Sequence, residues 1–319
     1  MNNSNYIPVE TRSIKLLYLI ILIGLVGILM ALLSMNMVLF AGITALPLIC
    51  IAGILILRYP QLMLFIIFTI NYFILGITRY MPIEGISIIM DILYVLTLVL
   101  IFVHSALYHN IEWKRSFHIL SALSALWAFY CILEVMNPSA VFEGWILSRG
   151  LIINGLIITI LTSLLCTRYK TLKVLLFTFS LFTILAILKT FMQKYFGFDT
   201  YETRWLNNGG ATTHIIHSGI RYFSFFTDAS NMGSNMGGAG IIFGITSLYM
   251  KNKTFKIYYA SVAIASLYTM MLSGTRGAII VPLAGLALYT VVSKQTLSIL
   301  IGTASLVLIY VFFAFTMIG

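Results

Sequence analysis

Charge is what this sequence has least of. Only 9% of its 319 residues are Asp, Glu, Lys or Arg, while 61% are hydrophobic. A soluble domain cannot cover its surface with so little polarity, which excludes an ordinary globular fold. Cysteine is also scarce. Cys50, Cys131 and Cys166 sit singly within or at the ends of apolar runs, with no disulfide framework and no zinc spacing, so they are expected only to pack. Acidic residues number 9 against 19 basic ones, a net charge of +10. In a soluble chain that balance would suggest nucleic acid. In a membrane chain the positive-inside rule accounts for it, so nucleic acid is not an expected partner. There is no Walker lysine beside the glycine-rich stretch and no strand before it, which argues against a nucleotide site. The first apolar run (14–34) lacks a small-residue cleavage pattern and reads as a membrane span, not a removed signal.

What the sequence does have is apolar runs of spanning length from end to end. A window of about 20 residues gives about eleven spans. They lie at 14–34, 37–57, 61–79, 86–107, 117–136, 145–166, 172–193, 231–250, 257–273, 277–293 and 296–318. The expected fold class is therefore an all-α polytopic membrane protein with one long outer loop. Its parts are N-terminal transmembrane helices (1–193), a loop over the site (194–230) and C-terminal transmembrane helices (231–319). The chain ends in a bare apolar span, TASLVLIYVFFAFTMIG, which raises the expectation of a C-terminal truncation. With a cytoplasmic N-terminus, twelve of the 19 basic residues fall in short inside segments, where the charge rule is strongest.

The remaining basic residues are mostly arginine: Arg79, Arg149, Arg204, Arg221 and Arg276, with Lys189 and Lys194. Topology needs only charge, whereas arginine offers a planar fork that suits phosphate or carboxylate. For Arg79 and Arg204, snorkelling to outer headgroups competes with a site role. Arg149 (GWILSRGLIIN), Arg221 (RYFSFFTDASNMGSNMGG) and Arg276 (MLSGTRGAII) each fall close to the outward N-terminus of a span. Free N–H groups and positive dipole ends there make an anion site. Asp228 or Ser230 is expected to cap one of these spans, and Ser273-Gly274-Thr275 another.

The outer stretch KYFGFDTYETRWLNNGGATTHIIHSGIRYFSFFTDASNMGSNMGGAG (194–240) concentrates the polar residues. A long loop in so economical a chain points to function. His214 and His217 form H-x-x-H but lack further ligands at metal spacing, so a hydrogen-bonded loop role or general-base work is expected of them. Glu143 is a potential partner for Arg149. Asp91 and Glu134, in apolar surroundings, must face protein or water. Gly233, Gly237, Gly240 and Gly244 recur at helical spacing, which favours close helix packing over a phosphate cradle. For RYFSFF (221–226) two readings stand, an interfacial aromatic belt or a lateral entrance with stacking platforms.

In their order, the large outer loop, RYFSFFTDASNMGSNMGG and SGTRGA opening a later span, the parts resemble the O-antigen ligase and O-antigen polymerase superfamily. The resemblance implies a metal-independent, cofactor-free transferase of lipopolysaccharide biosynthesis in the bacterial inner membrane. Its active site would face the periplasm. The donor would be an undecaprenyl-diphosphate-linked glycan and the acceptor lipid A core or another lipid-linked repeat. By position Arg221 and Arg276 match the family's diphosphate-binding arginines, and Arg149 matches less closely. Ligases of the family also carry a catalytic His in an outer loop beyond SGTRGA. This sequence stops before such a loop, so His214 or His217 would serve as base if the chain is complete. A transporter or flippase for lipid-linked sugars, or a non-catalytic scaffold, would share the basic outer cavity. The transporter should show repeated halves, and no convincing repeat is present.

Overall fold

A computed structural model describes residues 51–81, 85–86, 88–137, 139, 141–217, 219–293, 299, 302–304 and 307. The fold is mostly helical. A helical piece at Ile51–Arg58 precedes α1 (Gln61–Ile77), and Pro60 stands at the break, where its ring disfavours continuation. There follow α2 (Ile88–Tyr108), α3 (Ile119–Leu133), α4 (Phe142–Leu165) and α5 (Tyr169–Tyr195). After the polar stretch come α6 (Ala229–Tyr249), α7 (Lys253–Leu272) and α8 (Ile280–Ser293).

Among the described residues, six helices are long and apolar enough to cross a membrane, or seven if Ile51–Arg58 and Gln61–Ile74 count as one broken span. The expectation of eleven is thus not met. Span 14–34, two thirds of 37–57 and most of 296–318 lie outside the described residues. The 231–250 run is a helix of 21 residues, yet it is not one of the six. Its glycines, serines and asparagines lower its hydropathy, and the structure shows why they are tolerated. Met232, Met236, Ala239 and Phe243 on α6 are all 0% exposed, so this helix faces protein. The peripheral helices do the opposite. Ile119, Leu120, Leu123 and Leu126 of α3 are exposed, as are Ile280, Leu288 and Val291 of α8. Such faces suit hydrocarbon and would be untenable in water.

The chain divides into two units. Of the described residues, 51–63 and 97–112 belong to one, in which His104 Nδ1 donates to the Leu57 carbonyl at 2.6 Å. The other begins at 64–96 and resumes at 113. Its core joins α1, α5, α6 and α7 through Tyr72, Ala186, Ile187, Phe226, Met232, Met236 and Met270. Aromatic pairs lock α1 to α5, with Phe73 and Phe182 centred 4.9 Å apart. The glycine stripe packs helices closely. A Cβ on Gly233 would meet Ser273 Oγ at 2.5 Å, one on Gly237 would meet Pro282 at 2.9 Å, and one on Gly240 would meet Leu267 at 2.6 Å. Gly244 faces open space and does not belong to this seam.

Candidate functional site

Within the larger unit, the end of α1, the end of α5, the polar stretch, the start of α6 and the turn after α7 meet through side-chain and backbone contacts. The stretch expected as one long loop has structure of its own. Phe196–Phe198 leads into a short helix Thr200–Trp205, a widened turn Leu206–Gly210, a further turn Ala211–His214 and a two-stranded hairpin pairing Ile215–Ile216 with Gly219–Ile220. The short helix starts from a capping box. Asp199 Oδ1 accepts from the Glu202 N–H at 2.9 Å, and Glu202 Oε2 accepts from the Asp199 N–H at 3.0 Å. Lys189 of α5 ties that box down, with Nζ 2.9 Å from Asp199 and 3.0 Å from Glu202. Tyr80 donates to Asp199 at 2.7 Å. Burial opposes ionisation of Asp199, but the Glu202 N–H, Tyr80 and Lys189 together hold its carboxyl below the usual range.

Arg79, for which as for Arg204 snorkelling competes with a site role, is held inside the protein. It does not snorkel to a headgroup; it is buried, 9% exposed. Its guanidinium donates to the carbonyls of Ser224 at 3.0 Å, Thr227 at 2.8 Å and Phe226. It also lies 4.7 Å from the Trp205 ring centre and 4.2 Å from that of Phe223. Burial pulls its pKa down to about 10, against support from Glu202, Tyr80, Asp228 and Asp199, so it stays charged at neutral pH. Gln193 completes the hold on this segment. Its Oε1 accepts the Ser224 N–H at 3.0 Å, and its Nε2 donates to Glu202 at 2.8 Å. The backbone of Phe225 passes so close to Gly76 that a Cβ there would collide with the Phe225 carbonyl.

The predicted site residues separate under this geometry. His214 is 2% exposed, and both its ring nitrogens are engaged. Nδ1 lies 2.9 Å from the Gly210 carbonyl, which can only accept, so the proton is assigned to Nδ1. Nε2 accepts the Ala229 N–H at 3.2 Å, at the first turn of α6. Burial lowers its pKa, with the Gly210 hydrogen bond working the other way. A ring held this way clamps the start of α6 and has no free nitrogen to take a proton from a substrate. His217 is exposed at the tip of the hairpin. Asp228, as expected, caps α6, accepting the Asn231 N–H at 2.8 Å.

Arg221 and the SGTRGA segment come together. The Arg221 Cγ stands 3.0 Å from where a Cβ on Gly274 would be, and Gly274 has φ +60°, a backbone state that favours glycine. The Arg221 N–H donates to the His214 carbonyl at 2.8 Å, while its Nε is buried and has no hydrogen-bond partner among the described residues. Arg276, two residues past Gly274, is exposed at the start of the 3₁₀ turn Arg276–Ile279 that leads into α8. The expected cap differs in detail. Thr275 stands at the N-cap position without a side-chain cap, and its hydroxyl donates to Ser273 O at 3.4 Å.

Arg149 departs from its expected place. It lies two turns inside α4, not at the helix start, because the helix begins at Phe142. Its Nε is 2.7 Å from Asp91 Oδ2, so Asp91 and not Glu143 is its ion-pair partner. Among the described residues, no group of three or more His, Cys, Asp and Glu is placed to hold a metal ion. Compared with known proteins, the chain matches no family model, no curated protein and no solved structure.

Proposed function

We propose that the chain is a lipid-linked glycan transferase of the O-antigen polymerase or ligase type, lying in a bacterial cytoplasmic membrane with its site facing the periplasm. The donor is a glycan on undecaprenyl diphosphate, and the acceptor is a sugar hydroxyl of lipid A core or of another lipid-linked repeat. One observation supports this reading above the others: Arg221 rests on Gly274, so an arginine with an unpartnered buried Nε adjoins the turn that carries Arg276. Arg79 and Arg149, by contrast, are committed to partners.

Two guanidinium groups near one turn suit a diphosphate leaving group. The acceptor hydroxyl attacks the anomeric carbon, and the diphosphate departs with the bonding pair. Fixed positive charge stabilises the departing oxygens without reorganisation at the moment of reaction. The hydroxyl proton needs a base within reach. Of the two histidines, His217 is the candidate, since His214 has no free nitrogen.

The test is a gel profile of surface polysaccharide from a deletion strain complemented with wild type or Arg276→Ala. Core carrying a single repeat identifies a polymerase, and bare core with accumulated lipid-linked polymer identifies a ligase. Full rescue by Arg276→Ala, with normal expression, overturns the catalytic reading in favour of a transporter or scaffold.

A further inference from the structure

A cleft of about 620 Å³ opens on the polar stretch; Phe198, Thr200, Thr203, Arg204, Asn207 and Asn208 line it. Its make-up is unusual for a surface hollow in so apolar a chain. One aromatic ring, two carboxamides, two hydroxyls and one guanidinium face a single space, and no acidic residue lines it. Arg204, Asn207 and Asn208 are exposed, and among the described residues their side chains make no hydrogen bond or ion pair.

The walls are rigid. Phe198 stacks on Phe223, with centroids 5.2 Å apart and planes 3° from parallel, and Phe223 is itself 0% exposed. Arg204 stands on the helix that the Asp199–Glu202 box starts and Lys189 anchors. Asn207 and Asn208 lie in the widened turn closed by Gly209 at φ +113°. The backbone that carries these groups is thus placed before any ligand arrives, and their side chains are left free to take one.

We propose that this cleft is a carbohydrate-binding subsite. A pyranose presents an apolar C–H face and a rim of hydroxyls. Phe198 supplies an apolar surface for the first, and the amides and hydroxyls, each both donor and acceptor, meet the second. Arg204, unopposed by any acid in the lining, adds a preference for sugars bearing a carboxylate. The inference rests on the glycan-transferase reading for its choice of ligand, and it gives the glycan contacts besides the diphosphate arginines, neither of which lines the cleft.

The test uses the full chain in nanodiscs, with calorimetric titration of oligosaccharides released by mild acid from the producing bacterium's own surface polysaccharide. Dextran oligosaccharides serve as control. Wild type is expected to bind the released glycan and not dextran. Asn207→Ala/Asn208→Ala is expected to weaken binding at least tenfold, and Arg204→Ala to weaken it for acidic fragments only. No binding by wild type, or binding that both cleft variants leave unchanged, overturns the subsite. The transferase reading fails separately, through rescue of polysaccharide by Arg276→Ala, so the two failures are distinguishable.

Discussion

Four arginines of the larger unit divide by what their guanidinium groups already hold. Arg79 is spent on three carbonyls and two rings, and Arg149 on Asp91 and the Ile146 carbonyl. Arg221 and Arg276 are not spent in this way. Arg221→Ala or Arg276→Ala should therefore lower glycan transfer at unchanged expression, by about 1.5–3 kcal/mol for a lost charge-assisted phosphate contact, read as kcat/KM on lipid-linked donor. Arg149→Ala should instead lower the melting temperature, since it leaves Asp91 unpaired. Gly274→Ala should behave like Arg221→Ala, because the added methyl strains φ +60° and meets the arginine stem. A pH effect belongs to His214. Its folded pKa lies below the ordinary 6.5, so the unfolded state binds the proton more readily. The stability contributed by the neutral ring is full above pH 6.5 and is lost as pH falls beneath it. The protection factors at Ala229 and through 210–214, corrected for the intrinsic pH dependence of amide exchange, should fall on acidification from pH 7 to pH 5.5, and His214→Gln should remove that fall. Protection factors indifferent to pH in wild type would show that the ring does not clamp α6.

At the scale of elements, hydropathy located what it could. The expected spans at 61–79, 86–107, 117–136, 145–166 and 172–193 all correspond to helices, with ends shifted by a few residues. The glycine spacing on 231–250 indicated a packing seam, and three of the four glycines lie in it. The sandwich around Arg79 was not legible, because its partners stand about 125–150 positions further along the chain and no local pattern announces them. Arg149 misled for a related reason. Asp91, its partner, comes from another span, and the helix start lies earlier than the first apolar residues suggested. The seam yields a prediction of its own. Gly233→Val or Gly237→Val should destabilise the α6–α7 pair by overpacking, typically about 1–3 kcal/mol, while Gly244→Val should be near neutral. Thermal unfolding of the detergent-solubilised chain checks this, and an equal loss at all three positions would mean the seam is not what the glycines serve.

For the whole molecule, the distribution of basic residues and the position of the polar end make one joint claim. Lys251, Lys253 and Lys256 surround the turn between α6 and α7, at the opposite end of α6 from Asp228 and His214. If the positive-inside rule sets orientation, that turn is cytoplasmic and the hairpin at 215–220 faces outward. A cysteine-free background, made by replacing Cys50, Cys131 and Cys166, permits a direct measurement. His217→Cys, exposed at the hairpin, should label with a membrane-impermeant maleimide in intact spheroplasts. Asn252→Cys, exposed at the N-cap of α7, should label only after permeabilisation. The opposite pattern would turn the arginine pair and the proposed glycan cleft toward the cytoplasm. A polysaccharide acceptor outside the membrane would then be unreachable, and the transferase reading would fall whatever the phenotype of the arginine variants.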